Sequence, residues 1–185
     1  NVHHSRTFYI FFLQPIINNR NNVVGDNTMQ KLTHLDDEGN SRMVEVGNKP
    51  MTDREALAEG FIGMSSETLK LLKKREMPKG DVLSVAQLAG IQASKRTADL
   101  IPLCHPVPLT GVDVQLHVLN DGVRVVARAR AHWRTGVEME ALTAVSVTLL
   151  TLYDMLKAAD RSLEMGSIRL LEKRGGRSGE WVRNS

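Results

Sequence analysis

The stretch from Arg134 to Lys157, RTGVEMEALTAVSVTLLTLYDMLK, limits what this chain can fold into more than any other. Leu142, Val145, Leu149, Leu152 and Leu156 recur at steps of three and four, so they form one apolar stripe along a long helix. Such a stripe has to be buried against a sheet or another helix. Ala141, Ala144, Ser146 and Thr148 are small and let a second element approach closely. Thr135, with Glu138 three residues on, reads as a capping box, and Gly136 takes the first helical position. The capping box is a sufficient reason for Glu138. Three charged groups remain: Glu140, Asp154 and Lys157. Asp154 and Lys157 stand at i, i+3 and can act together. Glu140 and Asp154 point the same way within roughly 40° but lie about 21 Å apart along the axis. One copy of the helix cannot offer both to one small molecule. A symmetric dimer with antiparallel helices would bring the Glu140 end of one copy to the Asp154 end of the other.

The remaining chain supplies the partners for this helix. Residues 52–64 hold Ala56, Ala58, Gly60, Ile62 and Met64 in alternation, and Gly60 and Gly63 weaken a helix, so a strand is expected. Ser66 to Lys74 reads as a short helix. Asp81 is a plausible N-cap for a helix through Val82, Val85, Leu88, Ala89 and Ala93, which leaves Lys79 just outside its positive end, where an anion sits. Pro102, Pro106 and Pro108 hold Leu100 to Pro108 extended and stiff. Residues 112–131 alternate about Asn120-Asp121-Gly122 and form a hairpin. Ser167 to Leu171 can add a strand. From Thr52 the order is β, α, α, β, β, α, β, which points to an α+β fold: an antiparallel sheet with helices packed on one side. Residues 1–28 differ in character and are expected to be a tail or extension outside the fold. Residues 29–185 are expected to be one catalytic domain.

Charge and composition narrow the function classes. The net charge of +3 suits phosphorylated ligands as well as nucleic acid. Only eight aromatic residues occur (four Phe, two Trp and two Tyr), and Phe8, Tyr9, Phe11 and Phe12 crowd near the start, so stacking platforms for single strands are hard to build. Arg124, Arg128 and Arg130 share one strand face; a solvated or interface face explains them more simply than a nucleic-acid surface. No apolar run approaches a membrane span. The single Cys104 excludes an internal disulfide and fits a reducing compartment. Cys104 beside His105 has no second Cys for a zinc site; a thiol nucleophile at Cys104 is a further reading, although nothing in the sequence shows the thiol activated. Lys173-Arg174-Gly175-Gly176-Arg177-Ser178-Gly179 could cradle phosphate, yet by itself reads better as a flexible basic tail.

Several segments together resemble one family, the cyclic pyranopterin monophosphate synthases of molybdenum cofactor biosynthesis. The resemblance runs from about Met29 to Gly179. It is carried by Lys79-Gly80-Asp81-Val82, by Ala89-Gly90-Ile91-Gln92-Ala93 with Lys95-Arg96-Thr97, and by Leu100-Ile101-Pro102-Leu103-Cys104-His105-Pro106. The longest match is Thr135 to Ala144; Tyr153-Asp154-Met155 with Lys157, and Lys173 with Gly175-Gly176, complete it. The resemblance implies a ferredoxin-like fold and a homohexamer built as a trimer of dimers, with active sites between subunits. It implies a lyase acting on 3',8-cyclo-7,8-dihydro-GTP, made by a partner radical S-adenosylmethionine GTP cyclase, and releasing cyclic pyranopterin monophosphate and diphosphate. It maps Asp154 onto the catalytic acid/base, with Lys79, Lys157 and His105 as catalytic or phosphate-holding partners. Leu103, Cys104, His105, Met139, Glu140 and Lys173 map onto substrate-binding positions. No motif demands a cofactor or a resident metal, although a divalent ion could assist diphosphate departure. A cytoplasmic protein, without membrane or nucleic-acid partners, is expected. The other readings are a non-catalytic nucleotide-binding subunit and a nucleic-acid-binding module.

Overall fold

The computed structural model describes residues 38–74, 80–177 and 179–184. The elements are β1 (Thr52–Gly63), α1 (Ser66–Lys74), α2 (Val82–Ser94), α3 (Thr97–Leu100), β2 (Leu109–Val118), β3 (Gly122–Trp133), α4 (Glu138–Leu156), β4 (Glu164–Arg174) and β5 (Trp181–Val182). The five strands form one sheet in the order β2-β3-β1-β4-β5, and all neighbours are antiparallel. Without the short β5, this is the βαββαβ arrangement of a ferredoxin-like fold. The expected α+β architecture is what the chain adopts. The sequence did not reveal α3 or β5.

Alternation along the strands fixes which face is buried. Ala56, Ala58 and Ile62 of β1 and Val123, Val125, Ala127, Ala129 and Ala131 of β3 lie under the helices and are buried. Val145, Leu149, Leu152 and Leu156 bring the stripe of α4 onto them and are fully buried. Two glycines set how closely α4 can lie. A side chain at Gly60 would strike Val145 and Leu149, so α4 can settle directly on β1. A side chain at Gly90 of α2 would strike Thr148 and the Ala144 carbonyl, so α2 can lie against the small face of α4. The helix reaches the length and mean hydropathy of a membrane span, contrary to the expectation that no apolar run would. Its burial against α2 and the sheet explains that apolar character: it is a core helix.

The capping box is not formed. The N-cap residue of α4 is Val137, and no side chain caps it. The helix starts at Glu138, so Thr135 and Gly136 precede it, and Glu138 turns to Lys173 instead. By contrast, Asp81 caps α2 as expected, accepting from the Ser84 N–H at 3.1 Å. At the far end of α4, Asp160 ties the chain down. It accepts from the Ser162 hydroxyl and N–H and from the Ser65 N–H, at 2.6, 2.8 and 2.8 Å. These bonds, led by the Ser162 hydroxyl, hold its carboxyl well below the usual range.

The face of the sheet away from the helices carries charge. Arg124 and Arg169 both grip Glu59, while Arg128 pairs with Glu55 and Arg130 with Asp113. Burial alone would raise the Glu59 carboxyl, but the two guanidiniums hold it below its ordinary value. The three arginines of β3 are therefore engaged with carboxylates and form no bare basic patch, which leaves the nucleic-acid reading with only the modest net positive charge behind it.

Candidate active site

Three separate segments meet at the amino end of α4. The proline-stiffened segment after α3 brings Leu103, Cys104 and His105. The first turn of α4 brings Glu138, Met139 and Glu140, and the end of β4 brings Lys173. With Arg54 of β1 and the Gly175-Gly176 turn, they line a cleft of about 780 Å³. A small-molecule pocket of this size is ordinary for an enzyme.

The cleft has two chemically different walls. One holds the acids. Glu140 is buried, and its carboxyl is pushed up to about 7 by burial first, and then by the Glu138 charge. The backbone N–H of Glu140 itself works in the opposite direction. Glu138 is half-buried and meets Lys173 Nζ at 3.2 Å. The other wall is cationic and glycine-rich. Gly175 and Gly176 adopt φ of 95° and 75°, conformations that favour glycine. A side chain at Gly175 would strike the Asp53 carbonyl, and one at Gly176 would strike the Arg54 guanidinium. The turn thus passes directly over the start of β1, and Arg177 joins the lining beside it. Lys173 and Arg174 belong to β4 and the chain returns as β5, so this run is not a flexible tail.

His105 is held in one orientation. Its Nε2 lies 2.7 Å from the Val44 carbonyl, which can only accept, so Nε2 carries the proton. The other ring nitrogen is left as the basic one. Cys104 lies beside Glu140 and Glu138. Burial, then those two carboxylates, pushes its thiol up, which runs against the reading of Cys104 as a thiolate nucleophile.

Of the residues singled out in sequence, Leu103, Cys104, His105, Met139, Glu140 and Lys173 come together here. Asp154 and Lys157 do not. They lie at the carboxyl end of α4, exposed, with Lys157 Nζ at 2.6 Å from Asp154 Oδ1. That hydrogen bond, and the Asp154 charge, raise the Lys157 amine above its usual value. Lys79 lies outside the described residues.

Sequence reasoning missed Glu138 as a cleft residue because the capping box had already explained it. It also missed Arg54, although a signal existed. Arg54 has the parity of Ala56, Ala58 and Ile62, the buried side of β1, and an arginine there needs a reason. At the sheet's end it donates to the Trp133 and Arg134 carbonyls at 3.3 and 3.4 Å, which anchors the connection into α4.

A sequence profile of the MoaC family matches residues 43–176. Proteins named cyclic pyranopterin monophosphate synthase from Brucella ovis and Brucella melitensis biotype 2 are 58% identical over 154 residues, covering 82% of this chain and 93% of each relative. The protein of that name from Brucella canis is 57% identical over the same length.

Proposed function

The chain belongs to the MoaC family, and from that premise we propose the reaction its cleft performs. It is a lyase of molybdenum cofactor biosynthesis that converts 3',8-cyclo-7,8-dihydro-GTP into cyclic pyranopterin monophosphate and diphosphate. The observation that carries this reading is the convergence of Leu103–His105, Met139–Glu140 and Lys173 on one cleft with an acidic wall and a cationic wall. A guanine-derived ring has adjacent N–H donors that suit Glu140. A phosphate chain suits Arg54, Arg177 and the glycine turn.

The reaction opens the purine-derived ring, rebuilds it as a pterin and closes a cyclic phosphate. In the last of these, a sugar-derived hydroxyl oxygen bonds to the α-phosphorus, the bond to the bridging oxygen breaks, and diphosphate leaves with the electron pair. The proton from the hydroxyl needs a base, and the leaving group needs cations. Asp154 is the acid/base in this account, and Lys157, Lys173 and Lys79 neutralise the departing charge. His105 offers its other ring nitrogen, Nδ1, for a further proton transfer.

Asp154 lies about 21 Å along α4 from Glu140, and Lys157 about 25 Å, so neither reaches the same cleft. We therefore assign them to the cleft of a second copy. Two chains with antiparallel α4 helices complete each other's sites, and three such dimers make the hexamer. The upstream partner is a radical S-adenosylmethionine GTP cyclase that supplies the substrate, and the setting is cytoplasmic. We assign no cofactor. Among the described residues no three His, Cys, Asp or Glu side chains gather as a metal site, so a participating divalent ion would arrive on the phosphate chain.

Supplying the purified protein with cyclised dihydro-GTP tests the reading. Diphosphate and the pterin product are expected in equal amounts. Folded protein that binds the nucleotide and releases neither would instead support a non-catalytic binding subunit.

A further inference from the structure

Among the described residues, the buried side-chain nitrogen and oxygen atoms without a hydrogen-bond partner are Thr52 Oγ1, Arg134 Nε and Thr135 Oγ1. All three residues line the cleft. They are also close in the fold. Thr52 pairs with Trp133 in the β1–β3 register, next to Arg134 and Thr135, and Arg54 pins that connection by its bonds to the Trp133 and Arg134 carbonyls. An unpaired buried polar group costs stability, and folded proteins pair nearly all of theirs. Three such groups at one corner of one cleft need a common explanation, and the failed capping box removes the structural one for Thr135.

The chemistry of the three atoms limits the ligand. A guanidinium Nε only donates, and each hydroxyl can donate. Their common partner must present acceptor oxygens on more than one side. The N–H-rich ring is the wrong partner for a guanidinium Nε, which only donates. A phosphate chain is the right one. We propose that Thr52, Arg134 and Thr135 form a donor pocket for the diphosphate portion of the substrate. This rests on the functional reading above and adds residues to it. The three residues are only half-buried, so rotation about χ1 of each threonine, and along the stem of Arg134, turns the covered donors toward the cleft. In the observed rotamers the three donors are unpaired, and after rotation ligand oxygens can pair them.

The test uses the full chain with Thr52→Val and Thr135→Val, separately and together, and with Arg134→Lys, which keeps the charge and removes Nε. The probe is inorganic diphosphate, followed by calorimetry and by inhibition of turnover. The valine variants are expected to bind diphosphate about tenfold or more weakly, while their melting temperature stays level or rises. A merely structural role would not give those opposite signs. Unchanged diphosphate affinity overturns the proposal. So does a parallel fall of affinity and melting temperature, or a parent that binds no diphosphate. Calorimetry decides the donor pocket whether or not the parent turns over the nucleotide, so failure of the pocket and failure of the proposed reaction are read separately.

Discussion

Replacing Asp154 by Asn lowers turnover of cyclised dihydro-GTP about 100- to 10,000-fold, the range expected when a positioned acid/base is lost. Asn keeps the size and polarity of the side chain but neither takes nor gives the proton. The side chain is exposed and belongs to no core cluster, so the fold should tolerate the change. The substitution also removes the charge that raises Lys157, and that amine moves back toward its ordinary value. An ordinary lysine is still a cation at neutral pH, so the loss reports the carboxylate and not the cation. Nucleotide binding by the variant, followed by calorimetry, should fall far less than turnover. If product release continues at the parental rate, Asp154 and Lys157 are an ordinary surface ion pair.

The second large effect is expected at Glu140, where stability and activity move in opposite directions. Its carboxyl titrates at about 7 in the fold, against the ordinary value of 4.5, chiefly because burial penalises the charge. The folded chain therefore keeps a proton that the unfolded chain has lost across that window. The sign follows from linkage: stability is undiminished below pH 4.5 and falls as pH rises toward 7, where the buried charge appears. Glu140→Gln removes this penalty. It should stabilise the free protein at pH 8, by order 1 kcal/mol, and have little effect near pH 4.5. Activity should suffer on the proposed role, because Gln offers one neutral acceptor where two charged oxygens would meet the ring N–H donors. A fall in kcat/KM of about 10- to 100-fold is expected. In the parent, kcat/KM should rise with pH through about 7 as the carboxylate forms, and that limb should disappear in the variant. If the limb survives in Glu140→Gln, the titration belongs to another group and this role is wrong.

The helix stripe and the alternation in β1, β2 and β3 were legible because each repeats a period that only one packing satisfies. The N-cap at Asp81 was legible because the cap and its donor are three residues apart. The start of α4 was not. Thr135-x-x-Glu138 satisfies the local rule for a capping box, but the cleft supplies Lys173 for Glu138 from a strand 35 positions later. Long-range contacts of this kind overrode the local preference. The basic run at Lys173–Arg177 was misread for the same reason: its role depends on the Gly175-Gly176 turn lying against β1, a contact no local pattern contains. The site was half-legible. Motif resemblance picked out residues that do converge, while Arg54, Arg134 and Thr52 carry no motif and became visible through burial and parity.

The central claim is that each active site is built from two copies of the chain, and subunit complementation tests it most directly. Asp154→Asn and Glu140→Ala, each strongly impaired alone, would be co-expressed with different tags and the mixed oligomer purified. In a hexamer of three such dimers, about half the pairs formed at random are mixed, and each mixed pair holds one intact site of two. About a quarter of parental activity should return. Mixed oligomers with no more activity than either variant alone would contradict the shared site and place the whole reaction within one chain.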